Sequence, residues 1–125
     1  MEKALILTPD SISVKEVENF DLDFMQNCVG GYIERILIAS LEEKHIDVYC
    51  NEEGKFNNLP ATLYLLADEK IYDVVVGNVL FCKFDDEGNS LGLNEEDIVY
   101  LKDLLGRHKI FAKYGILPYL SQEGE

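Results

Sequence analysis

The sequence predicts an α+β domain: a mostly antiparallel sheet of about five strands with two helices packed on one face. Three observations carry that expectation. Short apolar or alternating runs recur between turn residues. Two segments, near 21–30 and 94–107, carry a helical apolar face between recognisable end signals. The composition is 47% hydrophobic over 125 residues, enough for one real core and too apolar for disorder.

The elements follow in order. Ala4 to Thr8 is a short apolar strand, and Pro9-Asp10-Ser11 is a turn. Ile12, Val14 and Val17 alternate roughly with charged residues, so a second strand returns as an antiparallel hairpin. Asp21 is the N-cap of a short helix on which Leu22, Met25 and Val29 share one face. Gly30-Gly31 ends it, because glycine adopts positive φ without a Cβ penalty. A third strand runs from about Tyr32 to Ala39, Leu41 to Lys44 connects, and a fourth runs from His45 to Asn51. Asn51 to Pro60 is a polar turn built on Glu53-Gly54. Ala61 to Ala67 suits either a helical turn or an edge strand. Ile71 to Phe84 reads as one long strand interrupted at Gly77-Asn78, where a bulge or a close approach is expected. Asp85 to Asn89 is a loop.

Asn94 opens the clearest helix, with Asp97 placed for a capping box and Ile98, Leu101, Leu104 and Leu105 as its apolar face. Residues 1–109 form the single α+β domain, and 110–125 are a C-terminal aromatic segment with an acidic tail. Phe111, Tyr114, Ile116, Leu117 and Tyr119 are too apolar to float free. They pack back on the sheet or cover a partner, a homodimer included.

The formal charge is −13, from 11 Lys and Arg against 24 Asp and Glu. That balance disfavours direct contact with nucleic acid or anionic membrane and favours basic proteins. No run of about 18 apolar residues is present to span a membrane, and no signal-peptide pattern opens the chain, so a cytoplasmic protein is expected. Cys28, Cys50 and Cys82 lie in apolar patterns at wide spacings, which predicts buried, reduced thiols.

Most catalytic chemistry finds no support. His45 and His108 have no ligand spacing to each other or to cysteine, and no phosphate loop, dinucleotide fingerprint, nucleophile elbow or zinc-protease motif occurs. A Cys–His pair meets only in space, so spacing leaves it open. No cofactor, no metal and no catalysis are expected. Asp85, Glu87, Asn89 and Glu96 stand at positions one, three, five and twelve of a calcium loop, but position six is Ser90 and a strand precedes it. A solvated acidic loop before a helix accounts for the same residues.

Two binding hypotheses remain. Carboxylates cluster, and Glu42, Glu43, Asp47, Glu52, Glu53, Asp85, Asp86 and Glu87 form a candidate acidic surface that imitates a phosphate backbone for a basic, nucleic-acid-binding host protein. The alternative is a small-ligand binder that sequesters a nucleotide signal. It would use Gly30, Gly31 and Tyr32, the turn residues Asn51 and Lys55, and Asn78, with Arg35, Lys55 or Arg107 as phosphate contacts.

Three motifs, taken in order and spacing, resemble the family known as domain of unknown function 3846. They are Val29-Gly30-Gly31-Tyr32-Ile33-Glu34, then Asn51-Glu52-Glu53-Gly54-Lys55 with Leu59-Pro60, then Ile71-Tyr72-Asp73 with Gly77-Asn78. The resemblance spans about residues 3–105. Family members often carry Asn soon after the Leu-Pro, whereas Ala61-Thr62 follows here. The resemblance implies no activity. It implies a setting in phages, plasmids and other mobile elements, where small acidic proteins often counter host defence by stoichiometric binding.

Overall fold

The computed structural model describes residues 1–124. Ten strands and three helices follow one another in the chain: β1 (Glu2–Leu7), β2 (Ile12–Val17), α1 (Leu22–Val29), β3 (Ile33–Ile36), α2 (Ala39–Glu42), β4 (Ile46–Asn51), β5 (Ala61–Ala67), β6 (Lys70–Val76), β7 (Val79–Phe84), β8 (Ser90–Leu91), α3 (Glu95–Arg107), β9 (Lys109–Ala112) and β10 (Gly115–Ser121). The α+β class and the mostly antiparallel sheet of about five strands are present. The main sheet has the order β2-β1-β7-β4-β3, with the short β8 paired to β7. A second sheet, β6-β5-β10-β9, packs beside it, and its β10–β5 pair is parallel.

The helices depart from expectation: they lie on opposite faces of the main sheet. Alternation along β1 and β7 explains this. Ala4, Ile6, Leu80 and Cys82 point one way and pack on Met25, Cys28 and Val29 of α1. Leu5, Leu7, Val79 and Phe81 point the other way, onto Ile98, Leu101, Leu104 and Leu105 of α3. The same core takes in Leu63, Leu65, Val75 and Leu120 from the second sheet. Fully burying one such leucine contributes roughly 1.5–3 kcal/mol.

The helix ends match their local signals. Asp21 accepts from Phe24 N at 2.9 Å, and Gly30 closes α1 at φ 79°. Asn94 and Asp97 form the reciprocal capping box of α3. The stretch 41–44, expected as a plain connection, begins inside the one-turn α2. β5 is a strand and not an edge: it lies between β6 and β10, and both its faces are buried from Thr62 to Leu66. A strand buried on both sides loses its period of two, which is why its pattern is ambiguous. The segment 71–84 is two strands in two different sheets, and the chain changes sheet at Gly77-Asn78. Residues 109–121 pack back as β9 and β10, leaving Phe111 and Ile116 exposed as cross-strand partners.

Candidate functional site

The first two sequence motifs and the Gly77-Asn78 part of the third meet around the end of α1, while Ile71-Tyr72-Asp73 lies early in β6. Asn51 Nδ2 donates to Val29 O at 3.3 Å, and Asn78 Nδ2 donates to Cys28 O at 3.2 Å. These carbonyls lack helical partners at a C-terminus, so the two amides complete them. Asn51 Oδ1 accepts from Glu53 N at 2.8 Å and so shapes the following turn. A Cβ on Gly31 would come within 2.9 Å of Asn51 Nδ2, so Gly31 lets that side chain reach the helix. Gly77, at φ 74°, would place a Cβ 2.7 Å from Leu59 Cδ1. Its N–H donates to Pro60 O at 2.8 Å, and its carbonyl accepts from the buried Thr62 hydroxyl at 2.5 Å. Much of the motif pattern is therefore a knot that ties α1, the 51–60 turn and both sheets together.

Two concavities adjoin this knot. One, of 500 Å³, is lined by Gly30, Gly31, Tyr32, Asn51 and Glu53 among others. Tyr32 stands at its rim with 67% of its surface exposed. The other is a slot of 310 Å³ between the end strands β3 and β6, lined by Glu34, Ile36, Cys50, Glu52, Lys55, Asp73 and neighbouring valines. The Cys50 thiol donates to Glu34 Oε1 at 3.8 Å. Burial, reinforced by the Glu34 carboxylate, pushes that thiol up to about 12. Lys55 Nζ sits 2.5 Å from Asp73 Oδ1 and bridges the slot wall.

The other proposed cations lie elsewhere. Arg35 binds Asp47 at 2.9 Å and Glu42 at 2.8 Å, with its guanidinium carbon 5.9 Å from the Phe84 ring centroid. The Asp47 hydrogen bond is the largest influence holding its proton more tightly than usual. Arg107 pairs with Asp103 at 2.7 Å in the last turn of α3. Of the eight ligand residues named from sequence, four share the first concavity, Asn51 and Lys55 share the slot, and Asn78 braces the helix behind them. Arg35 and Arg107 line neither.

The acidic residues divide in the same way. Ile46 pairs with Lys83, and Phe84 N donates to His45 O at 3.0 Å. One end of the main sheet thus gathers Glu42 and Glu43 with Asp85, Asp86 and Glu87. Glu52 and Glu53 follow the far end of β4. Asp47 belongs to neither surface. It is 6% exposed, bound by Arg35 and by the Tyr49 hydroxyl at 3.1 Å. Its place on the polar register of β4 is real, but Arg35 covers it.

Asp85 turns inward on its own loop, accepting from Glu87 N at 2.9 Å and Asn89 N at 2.8 Å. Those amides, Asn89 first, hold its carboxyl below the usual range. The loop joins β7 to β8 as a hairpin, and no metal-competent group of three or more His, Cys, Asp or Glu occurs among the described residues. The His45 ring lies against Phe84 at a tilt of 41° with ring centroids 5.1 Å apart, and His108 Nδ1 lies 3.3 Å from the Tyr119 hydroxyl. The three cysteines are free and buried, Cys28 and Cys82 in the α1 core and Cys50 in the other. Burial raises the thiols of Cys28 and Cys82 as well. No helix among the described residues is long and apolar enough to cross a membrane.

Sequence reasoning missed the slot itself. Asp73 stands in the third motif, 18 residues from its partner Lys55, and that motif is the signal that points to it. Gln122, whose side-chain amide links Leu37 O past β3 to the Tyr72 hydroxyl in β6, has no local signal at all.

No curated protein and no solved structure matches the chain. A family described as a domain of unknown function, DUF3846, matches residues 1–106, ending inside α3 and leaving β9 and β10 outside the match. With that much of the sequence matched, the chain belongs to the DUF3846 family.

Proposed function

We propose that the protein is a non-enzymatic accessory binding protein of phage or mobile-element type. It acts in the cytoplasm, stoichiometrically, as an acidic and nucleic-acid-mimicking inhibitor of a basic host defence protein. The observation that carries the reading is the placing of the exposed Glu43, Asp86 and Glu87, beside the Arg35-paired Glu42 and the loop-bound Asp85, at one end of the main sheet, on a chain of charge −13. Five of the 11 basic residues, Lys3, Arg35, Lys55, Lys83 and Arg107, are already engaged by carboxylates, while Glu43, Asp86 and Glu87 are exposed. Such a field speeds encounter with a basic partner and weakens with salt.

The test is to purify the protein from its own host and weigh the intact complexes by native mass spectrometry. A stoichiometric basic protein is expected, with binding that weakens as salt rises. Glu43→Lys, Asp86→Lys and Glu87→Lys together should lower affinity at least tenfold. A complex indifferent to both salt and these reversals sinks the proposal.

A second reading has its own support. The 500 Å³ concavity brings Gly30, Gly31, Tyr32 and Asn51 together, with bare backbone and an exposed aromatic ring suited to a base. In that reading the protein sequesters a nucleotide signal. A co-purifying small mass released on denaturation, and a raised Tm with one nucleotide class, are its expected signatures. A flat thermal-shift screen across linear and cyclic nucleotides removes it.

A further inference from the structure

Two end strands flank the slot, and no backbone ladder pairs them among the described residues. β3 ends the main sheet and β6 ends the second. At one end Gln122 Nε2 donates to Leu37 O, just past β3, at 2.8 Å and to the Tyr72 hydroxyl, early in β6, at 2.6 Å. At the other end, Asn51 pairs with Ile33 at the start of β3, and a Cβ on Gly54 would lie 2.9 Å from Val76 Cγ2 at the end of β6. The strands therefore pass one another in opposite directions, held apart by the 310 Å³ slot.

The four sheet edges are not alike. β2 carries Lys15 and Glu16, β3 is four residues long, and β9 begins at Lys109 and is followed by Lys113. Short strands and edge charges discourage strand addition. β6 also begins at Lys70 and carries Asp73, but at seven residues it is the longest of the four edges, and it ends in Val74, Val75 and Val76. The Val74 N–H is taken by the Asp73 carboxylate at 2.8 Å, and the other N–H and C=O groups along such an edge are of the kind that recognise an extended peptide through its backbone. The slot floor is apolar, from Cys50, Leu65 and Val75, all buried. Its walls carry Glu34 and Glu52, together with Asp73, which is already paired with the one lining cation, Lys55.

We propose that the slot takes one extended strand of a partner protein, of about four to six residues by the rise of a strand, with alternating small apolar and basic side chains. The apolar side chains point to the floor and the basic ones to Glu34 and Glu52. The inference rests on reading the protein as a binder of basic proteins, and it narrows what the partner must offer.

The probe is a short labelled peptide of alternating valine and lysine, titrated into the full chain by fluorescence anisotropy. Two control peptides accompany it, one with glutamate for lysine and one N-methylated on alternate residues. Saturable binding is expected, weaker by about tenfold or more for each control, a loss of about 1.4 kcal/mol. Hydrogen exchange should slow in β3 and β6 on binding, and Glu34→Lys should weaken the lysine peptide severalfold. Equal binding of the N-methylated peptide, binding without slowed exchange in β3 and β6, or no binding at all overturns the proposal. Exchange that slows in β6 with protein concentration alone assigns the slot to a second copy and also overturns it. If the peptide fails while a salt-sensitive basic partner is still captured, the slot assignment falls and the acidic-binder reading stands.

Discussion

Asn51 and Asn78 direct their side-chain amides at consecutive carbonyls of one helix end, Val29 O at 3.3 Å and Cys28 O at 3.2 Å. Asn51 is nearly buried and Asn78 half-buried, and they come from two different strand ends. Removing either leaves a helix carbonyl without its donor. Asn51→Ala should cost about 1–2 kcal/mol and Asn78→Ala about 1 kcal/mol, read from urea midpoints at constant m. Because both act on one helix end, the double variant should lose less than the sum. Strict additivity would show that the two amides work independently.

Gly77 combines a positive φ with a neighbour at its missing Cβ. Gly77→Ala should therefore cost about 2–4 kcal/mol, part from the backbone and part from Leu59. Shortening Leu59 to Ala in the same chain should return about 1 kcal/mol of the contact component, visible in a double-mutant cycle. No coupling between the two positions would place the whole cost in the backbone.

Arg35 protects a buried carboxylate. Arg35→Met leaves Asp47 with only the Tyr49 hydroxyl among its described side-chain partners, and should cost about 1–3 kcal/mol. Glu42→Gln keeps the Arg35–Asp47 contact and should cost under about 1 kcal/mol, as expected of a half-exposed pair. Denaturation of the two variants side by side checks the order. A larger loss for Glu42→Gln would refute it.

The thiols set an alkaline limit. Cys50 holds its proton up to about 12 in the fold, against about 8.5 in an unfolded chain. Above the unfolded value the unfolded state binds fewer protons than the native one, so stability falls as pH rises from about 9 toward 12. Cys82 shifts in the same direction. At pH 8 a thiol reagent should leave all three cysteines intact over minutes and label them together on unfolding. Cys50→Ala should flatten part of the alkaline slope.

Asn94→Ala removes one half of the α3 capping box and should cost about 1 kcal/mol, roughly 3–5 °C in Tm for a domain of this size. Asn94→Asp keeps the acceptor and should hold near the parent value.

Features encoded within one turn of chain are legible in the sequence: Asp21, Gly30 and the Asn94–Asp97 box sit where their chemistry predicts. Sheet membership is not, because it depends on distant strands. β1 has apolar residues on both parities, Ala4 and Ile6 against Leu5 and Leu7, so nothing local says on which side a helix packs. Ile71 to Phe84 is β-favouring throughout, and only Gly77 hints that the chain leaves one sheet for another. In the candidate sites, the Gly and Asn positions are visible, while their structural work at the α1 end is not. Asp47 looks like any outward polar residue until Arg35, 12 positions earlier, folds over it. The acidic clusters of 42–43 and 85–87 look separate and meet only because β4 pairs with β7.

The parallel pairing of β10 with β5 has a consequence for synthesis. Tyr119 to Ser121 lie against Tyr64 to Leu66, so β5 waits for more than 50 residues to be made before its second neighbour exists. During translation the β5–β6 hairpin stands with the backbone edge of β5 open and with Tyr64 and Leu66 lacking Leu117, their later neighbour, and such non-local pairings are slow to close. Chains stalled or cleaved before β10 would keep that open flank, and they should be the species that clump or recruit chaperones in the producing cell.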